Sequence, residues 1–204
     1  MIRFSAGGCR FELHFGFAAA AAFLLLADRS GMWAAGALSA LLHEMGHLLC
    51  MKWLDVPPVC VRLGLFGMEI LEERRSREGY ASDLCISLAG PLTNGLCFLL
   101  LLPVQLLIPS ELCFRLLSIN GILVVFHLLP VEPLDGGQAL YALLCRRFPE
   151  LWARRLVSLL SFLTLLPLSL LGFLVLLRSR YNFTLLLVSG YLMLLMLLKK
   201  GRYY

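Results

Sequence analysis

Apolar residues gather in long stretches at 11–27, 32–53, 84–108, 112–129, 156–177 and 181–198. Each comes close to the roughly 20 residues with which an α-helix crosses a bilayer. After a break at 130–137 rich in proline and glycine, the fourth stretch resumes as an apolar pattern to about 145. The pattern predicts an all-α polytopic membrane protein of about six transmembrane helices with a broken fourth helix. It predicts one membrane-embedded domain over 1–204, with no separate soluble domain. The one sizeable polar segment, 52–82, changes period: Val59, Val61, Leu63 and Leu65 alternate with Cys60, Arg62 and Gly64, and Gly67 can turn the chain back through Met68 to Leu71. That reads as a short membrane-surface β-hairpin whose edge could take an extended peptide by strand addition, or as a loop packed on the membrane surface.

Composition supports the membrane reading, with 60% hydrophobic and 15% charged residues and a mean hydropathy of +0.84. The formal net charge of +5 is a topology signal. With the N-terminus inside, the inner segments hold Arg3, Arg10, Lys52, Arg62, Arg74, Arg75, Arg77, Arg146, Arg147, Arg154, Arg155, Lys199, Lys200 and Arg202, leaving Arg29, Arg115, Arg178 and Arg180 outside. A multi-pass protein of the cell membrane with both termini cytoplasmic follows, and no nucleic-acid partner. Arg146, Arg147, Arg154 and Arg155 suit the anionic headgroup layer of the bilayer, or the guidance of an acidic substrate. No small-residue cleavage site follows the first stretch, and Asp28-Arg29-Ser30 looks like a turn, so that stretch is expected to be a retained helix. The 7 cysteines are scattered without a CxxC pair and read as small packing residues.

The second stretch carries His43-Glu44-Met45-Gly46-His47, where a lipid-facing anchor would carry leucines. Ionisable residues at that depth are costly and mark functional sites. On a helix, imidazoles four residues apart share one face, one turn apart, where a single zinc ion can reach both. Glu44 then lies beside the metal, placed to take a proton from a water the metal activates. The competing explanation is a self-satisfied buried polar cluster.

Zinc in a catalytic site takes a third protein ligand and leaves the fourth position for water. Asp135, in Pro130-Val131-Glu132-Pro133-Leu134-Asp135-Gly136-Gly137, is the leading candidate. From Met32 to His43 a helix descends about 16 Å, while a straight helix from Leu112 to Asp135 would cover about 35 Å and overshoot that depth. Pro130 and Pro133 break the helix, and Gly136 and Gly137 allow backbone geometry closed to other residues. Standing alone, the segment would read as an ordinary turn. Glu132 ranks second as ligand and Asp83 third, the latter more simply a helix cap.

In three ordered blocks the chain resembles the site-2 protease family of intramembrane zinc metalloproteases: His43 to His47, then Ala89-Gly90-Pro91-Leu92-Thr93-Asn94, then Leu134-Asp135-Gly136-Gly137. In size and in the early position of the first block it is most similar to the branch that contains the stage IV sporulation protein FB. The resemblance implies a six-helix core, zinc held by His43, His47 and Asp135, and Glu44 as general base. It implies a membrane-tethered protein substrate such as a pro-sigma or anti-sigma factor, a regulatory membrane protein as a further partner, and a role in sporulation. Members of the branch continue into a cytoplasmic nucleotide-sensing domain without counterpart before Tyr204, so ATP regulation is not expected. The family's asparagine eight residues before the aspartate is here His127, which could serve the oxyanion, bind the metal or be a satisfied core histidine. Asn120 could supply an amide instead, and Asn94 either binds substrate backbone or packs between helices. A membrane metal transporter and a non-catalytic scaffold are the alternative functions.

Overall fold

Local sequence explains where the first helices begin and end. In this computed structural model, residues 2–6, 9–56, 58–64, 67–72, 79–179 and 183–199 are described. The expected turn at 65–66, the residues Arg74, Arg75, Arg77, Arg180, Lys200 and Arg202, and the start of the last stretch at 181–182 lie outside them.

The N-terminus corrects the all-helical expectation. Strands β1 (Ile2–Ala6) and β2 (Cys9–Leu13) precede helix α1 (Phe15–Leu26). Cys9, Phe11 and Leu13 alternate with Arg10 and Glu12, a period of two too short to stand out against the apolar run it adjoins. Helix α1 is therefore 12 residues long and begins at Phe15, later than its apolar pattern. Strands β3 (Pro58–Gly64) and β4 (Gly67–Glu72) form the hairpin that the alternation predicts. The four strands make one sheet in the order β1-β2-β3-β4. The outer pairs are antiparallel and the middle pair parallel, with Glu12 opposite Arg62. That register lets the buried Glu12 carboxylate accept a charge-assisted hydrogen bond from Arg62 Nε at 3.0 Å.

Helix α2 (Met32–Trp53) starts after Gly31, whose φ of 73° suits a residue without Cβ. Asp28 caps it from before the turn: its Oδ2 accepts from the Ala34 amide at 3.0 Å and its Oδ1 from the Ser30 amide and hydroxyl. The Ala34 amide, followed by the Ser30 hydroxyl, holds the exposed Asp28 carboxyl below its ordinary pKa.

The remaining helices are α3 (Tyr80–Leu107), α4 (Glu111–His127), α5 (Asp135–Cys145), α6 (Glu150–Ser179) and α7 (Thr184–Lys199). The break in the fourth helix is present and shifted: it covers 128–134, so Asp135, Gly136 and Gly137 open α5. Glycines 136 and 137 do not serve an unusual backbone angle, since among the described residues Gly31 is the one glycine with positive φ. They serve close approach, because a Cβ on Gly136 would overlap the Leu128 and Leu129 carbonyls and one on Gly137 the Val131 carbonyl.

The chain divides into two compact units, one of Met1–Glu78 with Leu88–Val125, the other of Gly79–Ser87 with Phe126–Tyr204. The first holds the sheet and the HExxH helix. In the second, Val131, Leu134, Leu165 and Leu192 form a buried core. There Gly172 on α6 lies directly on the α7 backbone at Leu185 and Leu186, the small-residue approach common between membrane helices.

Among the described residues α3 and α6 are long and apolar enough to cross a bilayer. Helices α1 and α7 are apolar but shorter, and α2 is diluted by His43, Glu44 and His47. Six spanning helices are therefore not all evident from length and composition. Polarity is inverted relative to a water-soluble fold: Asn94, Asn120, Ser161 and Ser189 are buried, while Leu99, Leu106, Leu151 and Leu174 are exposed. Such an exterior suits an apolar solvent.

Candidate metal centre

The i, i+4 spacing on α2 does what the sequence predicts within the first unit. His43 and His47 are 3% and 7% exposed, with ring centroids 4.9 Å apart and planes at 77°. Their Nε2 atoms face each other at 3.2 Å. Two nitrogens bound to one tetrahedral zinc at about 2.0–2.1 Å would stand about 3.3 Å apart. The pair thus fits two ligands of one ion. Glu44 follows His43 on the same helix and is half-buried.

The hydrogen-bond network fixes which ring nitrogen a neutral His43 protonates. The Ser39 carbonyl can only accept, so the Asn94 amide nitrogen, 3.1 Å away, must face it. Asn94 Oδ1 then faces His43 Nδ1 at 2.6 Å and can only accept. The proton therefore sits on Nδ1, and Nε2 presents its lone pair toward the metal position. Asn94 also donates to Asn120 Oδ1 at 2.8 Å, and Asn120 donates to Ser39 Oγ at 3.0 Å and to the Leu116 carbonyl at 2.8 Å. Asn94 was expected to face substrate or helix packing; here its amide is wholly buried and committed to these partners.

The Ala89-Gly90-Pro91-Leu92-Thr93-Asn94 block brings α3 against this face. A Cβ on Gly90 would overlap the Nε2 atoms of both histidines, so its bare Cα leaves the space in which a metal would sit. A Cβ on Gly46 would meet Thr93 Oγ1 and the Ala89 carbonyl, so a pair of glycines sets the approach of α2 and α3.

In the second unit, Asp135 begins α5 and its Oδ2 accepts from His127 Nδ1, the last residue of α4, at 2.7 Å. Both are partly exposed. The carboxylate can only accept, so His127 Nδ1 carries a proton directed at it. In the unwound backbone between them side chains serve Glu132: its amide donates to Ser161 Oγ at 2.8 Å, and Gln138 donates to its carbonyl at 3.0 Å. Of the rival carboxylates, Glu132 lies in this unwound segment and Asp83 lies exposed in the first turn of α3. Ser39, Ser161 and Gln138 were not singled out in the sequence. Ser39 could have been, since it stands one turn before His43 on the same face.

No family model matches the chain. A zinc metalloprotease of Methanocaldococcus jannaschii is 29% identical over 126 residues, which cover 59% of this chain and 36% of that protein. The stage IV sporulation protein FB of Bacillus subtilis is 28% identical over 121 residues, covering 58% of this chain and 42% of that protein. The chain thus spans less than half the length of these curated relatives. A solved structure, the site-2 protease from Methanocaldococcus jannaschii, superposes with a TM-score of 0.65 at 27% identity, covering 94% of this chain and 91% of that one.

Proposed function

The chain belongs to the site-2 protease family, and from that premise we propose that it is a zinc metalloendopeptidase cutting a peptide bond in or next to the membrane segment of a membrane-tethered protein. The observation that carries the reading is the pair of buried imidazoles whose Nε2 atoms, 3.2 Å apart, aim at one point beneath a glycine. One zinc ion is assigned, with His43, His47 and Asp135 as its protein ligands. When bound, zinc polarises the scissile carbonyl and acidifies water.

The chain's own residues do the rest. Glu44 takes the proton from the attacking water and returns it to the leaving amine nitrogen, so no covalent acyl-enzyme forms. His127 holds the carboxylate of Asp135 in orientation through Nδ1. Strand β4 ends the four-stranded sheet and offers an edge to which an unwound substrate can pair. Membrane location accords with the apolar exterior. A multi-pass arrangement with both termini cytoplasmic, and a pro-sigma or anti-sigma factor as substrate, complete the proposal.

The test is co-expression of the wild-type chain and of Glu44→Gln with tagged single-span and pro-sigma-like substrates, with zinc measured in each purified protein. Cleavage by the wild type, lost in Glu44→Gln with zinc retained, is the expected result. Zinc without cleavage in either would favour a metal transporter or a silent scaffold, and a wild-type chain free of zinc would remove the site itself.

A further inference from the structure

The network behind His43 does more than fill a polar gap between helices. Three side chains from three helices, Ser39 on α2, Asn94 on α3 and Asn120 on α4, are 0%, 0% and 1% exposed. Polar side chains this deep in an apolar chain are costly unless each bond is made. Here they are made in one direction only. Leu116 and Ser39 accept from Asn120; Asn120 and the Ser39 carbonyl accept from Asn94; Asn94 accepts from His43. Reversing the Asn94 amide would set its oxygen against two acceptors, the Ser39 carbonyl and Asn120 Oδ1. The network therefore has one low-energy orientation, and that orientation ends in an acceptor aimed at His43 Nδ1.

We propose that Asn94 is a positioning residue for the metal site: held by Asn120 and Ser39, it fixes the tautomer and ring angle of His43 so that Nε2 is presented to zinc. The inference rests on the zinc reading above and extends it to residues that touch neither metal nor substrate. Its physical basis is that a metal-binding imidazole needs its other ring N–H anchored, or the ring spends time in the wrong tautomer and rotation.

The experiment measures zinc affinity by chelator competition, together with Tm, on the purified full chain in detergent, for wild type, Asn94→Leu, Asn94→Asp and Asn120→Leu. Asn94→Leu removes the acceptor, and zinc binding is expected to weaken by about 10- to 100-fold. Asn94→Asp keeps an acceptor for His43 but cannot donate to Ser39 or Asn120, so Tm should fall while zinc affinity stays within about threefold of wild type. Asn120→Leu should likewise lower Tm while costing less than about threefold in zinc affinity, because the Asn94–His43 bond survives. The proposal is overturned by Asn94→Leu binding zinc like wild type, or by all three variants losing zinc in proportion to Tm, which would make the network structural. A wild-type chain without zinc would overturn both readings together, whereas wild-type zinc affinity in Asn94→Leu would overturn this one alone.

Discussion

His43 and His127 show how much a single imidazole depends on what holds its far side. His43 Nδ1 is tied to a buried asparagine and His127 Nδ1 to the carboxylate of Asp135, so in both rings the proton is drawn to Nδ1. Replacing His127 by alanine removes the partner of Asp135 and should lower cleavage by about 10- to 100-fold. Asparagine there keeps a donor and should restore much of the rate; kcat/KM and zinc content of both variants measure it, and an alanine variant with wild-type activity would make the ring a mere packing group. Gly90 is tested by the opposite change. Its Cβ would occupy the space of both Nε2 atoms, so Gly90→Ala should cost at least about tenfold in zinc affinity by chelator competition. The shared face of His43 and His47 was legible from their spacing alone. The second-rank bonds were not, because Asn94 and Asn120 stand 26 residues apart in sequence and meet only through packing.

At the scale of elements, the helix break depends on partners as much as on its own prolines. Pro130 and Pro133 stop α4, but the freed Glu132 amide is satisfied by Ser161 from α6. Ser161→Ala removes the acceptor of that amide and should destabilise the fold by about 1–3 kcal/mol, read as a lower Tm at unchanged cleavage specificity. The start of α2 carries a pH dependence. Asp28 has its folded pKa depressed below 3.8, chiefly by the Ala34 amide. Its contribution is therefore complete above the ordinary value and is lost as pH falls through the lower folded value. Thermal melts should show Asp28→Ala less stable than wild type at neutral pH, with the difference closing only below about pH 4. A gap that persists unchanged at pH 2 would show that the carboxylate charge is not what caps the helix. The β3–β4 hairpin could be read from its alternation. Strands β1 and β2 could not be told from the apolar stretch they lead into, because five alternating residues carry little signal beside a longer hydrophobic run.

Among the described residues, polar Asn94 and Ser161 are at 0% exposure while many leucines face outward, Leu106 at 73%. A bilayer would cover that exterior, so the full chain should stay with the membrane pellet after alkaline carbonate extraction and aggregate when detergent is diluted away; release into the soluble fraction would overturn the membrane reading. Composition and periodicity by themselves determined the membrane character, the apolar helices, the broken fourth helix, the hairpin and the HExxH face, because each of these is a local pattern of period two or 3.6. Only tertiary structure decided that four strands form one sheet, that Gly136 and Gly137 serve close approach, and that Asn94 turns toward His43. Those features depend on which distant backbones and side chains come into contact, and hydrogen-bond direction and the room left by a missing Cβ are properties of such contacts that no single stretch of sequence contains.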